Sequence, residues 1–332
     1  LPISRLWWAL MLVSAVGLLT VQAQEALSTR YVPCGAGGVA ICALQTGLMW
    51  ETKTEPPNGG SGACTAPVFL HGVDILCLSQ EEVGLWLDAV NAENGTGYAG
   101  YTDWRIPHIR ELLTIYDYEA DTIDPAFGPT DTSSRGIYAS STPHSTLSDA
   151  TWGLRFSDGL PLTGGGGRIR AVRGGDFPAE AALRYIPCGA GEIAVCDLAT
   201  GLMWEVKCGG EVACPVSSVN HAAFAEFRHD QDIGPWLDEV NAENGTGYAG
   251  YTDWRLPTVQ ELLTIFDYDA LNDTDPLLGA SASGLFWSAT PTPSTVSDRF
   301  WAVLFGGRAR SGSVLADSSS SRHFARAVRG GR

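Results

Sequence analysis

The stretch Val90-Asn91-Ala92-Glu93-Asn94-Gly95-Thr96-Gly97-Tyr98-Ala99-Gly100-Tyr101-Thr102-Asp103-Trp104-Arg105 returns, unchanged and without a gap, at Val240 to Arg255. An identity of that length inside one chain of 332 residues shows one unit written twice. Other landmarks recur in the same order. Tyr31-Val32-Pro33-Cys34-Gly35 answers Tyr185-Ile186-Pro187-Cys188-Gly189, and Thr46-Gly47-Leu48-Met49-Trp50-Glu51 answers Thr200-Gly201-Leu202-Met203-Trp204-Glu205. Both units close on Arg-Ala-Val-Arg-Gly-Gly, at Arg170 to Gly175 and at Arg326 to Gly331. Repeat one therefore spans 31–175 and repeat two 185–332, with 176–184 as a linker. Each half is long enough to bury a core of its own.

Arg5, the uncharged apolar run Leu6 to Val21 and the small-residue pattern Val21-Gln22-Ala23 read as a signal peptide over 1–23. Residues 24–30 follow as a short polar linker. The chain is expected outside the cytoplasm, in the periplasm, at the cell surface or secreted. No membrane span is expected after cleavage, because no later run approaches the ~20 apolar residues a span needs. The 8 Cys fit an oxidising compartment and read as disulfides. Four Cys per half allow three pairings. The favoured set is Cys34–Cys42, Cys64–Cys77, Cys188–Cys196 and Cys208–Cys214. The CxxC knuckles of a zinc site are absent. A net charge of −16 argues against nucleic acid, whose phosphates need clustered Lys and Arg. It argues equally against a sulfated glycan, unless the few Arg gather on one face.

Each repeat opens on a hairpin pattern. Val39 to Leu44 and Ile193 to Leu198 are β-prone, Thr-Gly supplies the turn, and Leu48 to Trp50 begins the return. In repeat two the loop that follows reads as partly helical over Val219 to Phe227. Val83, Trp86, Leu87 and Val90 form one helical stripe, repeated by Ile233, Trp236, Leu237 and Val240. Thr258 and Glu261 make a capping box for a second helix, and His108 in the matching position of repeat one predicts a weaker cap. Trp152, Leu154 and Phe156, like Trp301, Val303 and Phe305, alternate as strands do. Two early helices and a set of later strands make an α+β unit. Strands at both of its ends can pair and close the unit on itself.

Candidate chemistry is sparse. None of the six His is matched by a His in the other repeat on this reading, which argues against a His-based site in both copies. No G-x-S-x-G, H-E-x-x-H or P-loop occurs. Asn91, Glu93, Asn94 and Asp103 offer oxygen ligands in one loop, so Ca²⁺ is the candidate ion, and no cofactor is required. Tyr98, Tyr101, Tyr248 and Tyr251 stand in glycine-rich loops; exposed there, their rings would stack on sugar faces, and they are the candidate ligand-binding residues, with packing in the core as the favoured competing reading. Trp50, Trp86, Trp104, Trp152 and their counterparts are expected in the core, Arg105 against a carboxylate, and Arg170, Arg173, Arg326 and Arg329 as carboxylate clamps.

Gly-Leu-Met-Trp, then Tyr-Thr-Asp-Trp-Arg-Leu-Pro-Thr-x-x-Glu-Leu, then Phe-Trp-Ser-Ala-Thr at Phe286 to Thr290, then Ala-Val-Arg-Gly resembles the bacterial Lcl C-terminal domain family. Repeat one departs from it at Ile106-Pro107-His108 and at Tyr138-Ala139-Ser140-Ser141-Thr142. The resemblance implies two tandem C-type-lectin-like domains, each with two helices on a small, mostly antiparallel, twisted sheet. It also implies kinship in shape with formylglycine-generating enzymes. Their reactive thiols would sit late in the domain, whereas all eight Cys here lie in the first half of each repeat. The family's named member is a collagen-like adhesin that attaches to glycosaminoglycans; this chain has no Gly-X-Y tract. The expected function is a non-enzymatic, exported, lectin-like adhesion module for a glycan or a surface protein, with avidity from two copies. The alternatives are a structural envelope component and an enzyme in one divergent repeat.

Overall fold

The structure is a computed structural model that describes residues 30–54, 76–77, 80–144, 147, 150–164, 167–174, 184–208, 221–268, 274–279, 282–293, 298–306 and 312–330. The segment 1–23 expected to be a signal peptide, linker residues 24–29 and 176–183, and Cys64 and Cys214 lie outside the described residues.

Repeat one begins with β1 (Tyr31–Cys34), β2 (Ala40–Ala43) and β3 (Leu48–Glu51). Gly47 turns the hairpin at φ 69°, a left-handed conformation that glycine adopts at little cost. Next come β4 (Leu76–Cys77), α1 (Gln80–Ala92), α2 (Ile109–Thr114), β5 (Tyr116–Asp117) and β6 (Thr122–Ile123). The unit ends with β7 (Ile137–Pro143), β8 (Thr151–Arg155), β9 (Leu160–Gly164), β10 (Gly167–Arg168) and β11 (Val172–Arg173). One sheet has the order β1-β2-β3-β11, and a second has β4-β10-β7-β8-β9. Val172 opposes Trp50, so the last strand lies beside the first hairpin and the unit closes on itself. Cys34–Cys42 joins β1 to β2, with Cα atoms 5.8 Å apart.

Repeat two copies this plan with β12 (Tyr185–Cys188), β13 (Ala194–Asp197), β14 (Leu202–Glu205), β15 (Glu226–Arg228), α3 (Ile233–Ala242) and α4 (Val259–Thr264). It finishes with β16 (Gly284–Pro291), β17 (Arg299–Phe305), β18 (Val314–Ser318), β19 (Arg322–Phe324) and β20 (Val328–Gly330). Its sheets run β12-β13-β14-β20 and β15-β19-β16-β17-β18. Cys188–Cys196 repeats the disulfide. Cys77 and Cys208 are disulfide-bonded as well.

The α+β class holds, with three refinements. Each unit carries two principal sheets, not one, and each second sheet contains a parallel pair, Arg168 with Tyr138 and Phe286 with Phe324. The helix read over Val219 to Phe227 is overturned in its last residues: Glu226–Arg228 is a strand paired with β19. Finally, His108 caps as fully as Thr258. Its Nδ1 accepts from Arg110 N at 3.2 Å while Glu111 accepts from His108 N at 2.7 Å, so an imidazole nitrogen does the work of a hydroxyl.

The expectation that each half has its own core is half right. One apolar cluster in repeat one gathers Trp86, Val90, Tyr98 and Trp104, and its twin gathers Trp236, Val240, Tyr248 and Trp254. A third cluster draws on both repeats at once, from Trp50, Leu112, Trp152 and Phe156 to Trp204, Leu262, Trp301 and Phe305. Its seam has two-fold character. Trp152 Nε1 donates to Tyr268 O at 3.1 Å, and Trp301 Nε1 donates to Tyr118 O at 2.9 Å. Arg110 donates to Phe266 O at 3.0 Å, and Gln260, its counterpart, to Tyr116 O at 2.8 Å. Such an exchange of like for like is the geometry of an isologous dimer. The two repeats are thus one body. Trp152→Ala removes both ring and donor and is expected to cost about 3–5 kcal/mol. Urea denaturation followed by circular dichroism and by tryptophan fluorescence should show both repeats unfolding in one transition.

Candidate functional site

The duplicated block folds as a brace. Gly97 sits at φ 79°, where a Cβ would meet Tyr101 O at 1.8 Å, so only glycine fits. The Asn91 amide bonds both ways to the Trp104 backbone, at 2.9 Å and 2.8 Å. Trp104 is buried, and Arg105 forks onto Glu111 at 2.7 Å and 2.6 Å, as Arg255 does onto Glu261.

The candidate residues separate on this brace. Tyr98 and Tyr248 are each 1% exposed, so they pack in the core, and of the four candidate rings these two are not open to a ligand. Their hydroxyls donate to Val39 O and Ile193 O, and burial pushes Tyr98 up to about 12. Tyr101 and Tyr251 reach the surface, but Arg173 and Arg329 lie 3.6 Å over the ring centroids, so one face of each is taken. These arginines also clamp Asp103 and Asp253 at 2.7 Å, as expected. Arg170 and Arg326 instead hold backbone carbonyls, of Glu51 and Phe127 and of Glu205 and Leu278. The proposed Ca²⁺ ligands do not converge. The Asn91 oxygen is spent on Trp104, Asp103 on Arg173, and Glu93 accepts from Asn94 at 3.3 Å. Among the described residues no three His, Cys, Asp or Glu group as metal ligands would.

Sequence reasoning missed a buried charge knot in repeat two. Lys207 Nζ donates to Glu205 Oε1 at 2.7 Å, and His221 Nδ1 meets the same oxygen at 2.7 Å. His221 Nε2 meets Glu243 Oε2 at 2.7 Å, and Ala327 N donates to Glu205 Oε2 at 2.7 Å. With a carboxylate at each ring nitrogen, the imidazole donates twice and carries a proton. Burial opposes that charge, but the Glu205 and Glu243 contacts outweigh it and hold His221 above its ordinary value. Burial opposes the Glu205 charge too, and Lys207 and His221 outweigh it, holding the carboxyl below its usual range. In repeat one, Lys53 meets Glu51 at 2.7 Å and Ala171 N reaches Glu51 at 3.0 Å. The signal was Glu-x-Lys in both halves, with a constant offset behind it. His221 stands 22 residues before Glu243, and His71 stands 22 before Glu93 (93 − 71), so one His does have a counterpart by sequence. His71 lies outside the described residues.

An accessible concavity adjoins the knot on its outer side. It is an open groove of about 470 Å³ beside α3, lined by Phe227, Gln231, Asp232, Trp236, Glu239 and Arg322 among others. That volume falls in the range of small-ligand sites. Phe227 packs on Trp236 with ring centroids 5.1 Å apart, and Lys207 lies 4.9 Å from the Trp236 ring centroid. Arg322, an exposed strand residue, reaches Asp232 at 3.7 Å and Glu226 O at 3.2 Å.

The model of the Lcl C-terminal domain matches residues 41–173 and again residues 193–329. The chain belongs to the Lcl C-terminal domain family. No curated protein matches it. Both Lcl C-terminal domains keep the brace and the Glu-x-Lys pair, so these elements belong to the shared scaffold. Among the described residues no helix is long and apolar enough to cross a membrane.

The knot gives the domain a pH profile. The His221 contribution to stability is complete below the ordinary His value of ~6.5 and is lost as pH rises through its raised folded value. The Glu205 contribution is present above the ordinary Glu value and is lost as pH falls through its lowered one. His221→Ala is expected to destabilise by roughly 3–5 kcal/mol at neutral pH and to flatten the alkaline limb. Thermal melts across pH check both.

Proposed function

We propose that this protein is an exported, non-enzymatic, lectin-like binding module that recognises a glycan through the groove beside α3. The observation that carries the reading is the contrast between buried and accessible chemistry in repeat two. His221 and Lys207 have side chains 1% exposed and are saturated by carboxylates, out of reach of a substrate. The groove outside them offers what a sugar needs. Gln231, Glu239 and Arg322 present planar hydrogen-bonding groups, and the half-buried Phe227 offers a ring edge. The pairing of the first hairpin with the closing strand supports reading each unit as C-type-lectin-like. The disulfides Cys34–Cys42 and Cys188–Cys196 support a location outside the cytoplasm.

Charge refines the ligand. The groove sets Asp232 and Glu239 against Arg322, in a chain of net charge −16. A sugar bearing an amine is favoured there over a sulfated one. On a glycan array holding glucosamine oligomers and sulfated glycosaminoglycans, probed with and without Ca²⁺, the amine-bearing oligomers are expected to bind and the sulfated chains not. Glu239→Ala and Arg322→Ala should each weaken binding by about ten-fold, the scale of one charged hydrogen bond. Silence across the array, with tight binding to a surface protein instead, would overturn the glycan reading.

A further inference from the structure

The repeats are identical through the brace and differ at several positions that line the groove. Residues 90–105 and 240–255 match throughout, and the buried helix positions Trp86 and Trp236, like Val90 and Val240, are the same. Moving 150 residues back from the groove keeps Trp236 as Trp86 and Asp232 as the like-charged Glu82, but changes other lining residues. Glu239 becomes Ala89, Pro235 becomes Leu85, and Phe227 becomes Cys77.

Strand register supports the last equivalence independently. Phe227 opposes His323 across β15 and β19, and Cys77 opposes Gly167 across β4 and β10. Because Phe324 and Arg168 occupy the same parallel bridge, to Phe286 and Tyr138, Arg322 aligns by sequence with Gly166, which lies outside the described residues. The guanidinium, the Glu239 carboxylate and the Phe227 ring all lack counterparts. Leu85 is instead 52% exposed, and Cys77 is fully buried and disulfide-bonded. Three of the ligand-facing groups of one copy thus have no counterpart in the other.

From this we infer that the protein is monovalent: repeat two carries the ligand seat, and repeat one is its structural partner, without a matching seat. The inference rests on the groove's being the glycan site. It replaces the avidity expected of two equal copies with a single site per chain.

Isothermal titration of the full-length chain with a glucosamine tetrasaccharide tests it. The expected result is one site per chain, weakened about ten-fold by Glu239→Ala and unaffected by Leu85→Ala in repeat one. The two substituted positions are at the surface, and unchanged thermal melts confirm that both variants fold. Two sites per chain, or a Leu85→Ala variant that loses half of its sites, would overturn monovalency while leaving the glycan reading intact. Absence of any binding by the unaltered chain would overturn the glycan reading and the inference with it.

Discussion

The seam between the repeats rests on two reciprocal hydrogen bonds, from Trp152 to Tyr268 and from Trp301 to Tyr118. A buried indole N–H left without an acceptor is costly, a cost that Trp50, Trp86 and Trp204 bear and that Trp152 and Trp301 escape by reaching a carbonyl of the other repeat. Those two bonds tie the facing of the two units. They bring Phe266 and Tyr268 around Trp152, with centroids 6.5 Å and 5.2 Å away, and merge what would be two exposed apolar faces into one interior. The five-stranded sheets, the short helices α2 and α4 and the Tyr116–Tyr118 segment are all held by it.

Much of this was legible in the sequence, because periodicity and repetition report local structure directly. The Val83, Trp86, Val90 stripe had only one way to be a helix, and the Thr-Gly turns had only one way to be hairpins. The pairing of Cys34 with Cys42, the favoured one of three, joins β1 to β2. What stayed hidden was of two kinds. The seam depends on Trp152 and Tyr118 facing across to the other copy, and no spacing within one repeat announces that. The burial of Tyr98 was masked by its neighbours: the three glycines Gly95, Gly97 and Gly100 suggest an open loop, yet the chain turns so tightly at Gly97 that the ring is driven inward.

The charge knot shows how a polar group earns a place in an interior. Glu205 sits on the strand that pairs with the closing strand, and it accepts from Ala327 N while its own backbone carbonyl accepts from Arg326. Lys207 and His221 then neutralise it. The same carboxylate therefore joins the beginning of the repeat to its end and forms the inner wall behind Trp236. Its charge is spent on architecture, which leaves the groove outside as the proposed seat of recognition.

A pair of identical subunits is bound by symmetry: any change in the gene appears on both sides of the axis. Joining the halves in one polypeptide removes that bond. Each side of the seam can then answer to different selection while the axis itself is kept, since the tryptophan contacts across it are still made between like residues. The two-fold seam is in this sense a licence for asymmetry, with one half held to shape and the other at liberty to specialise.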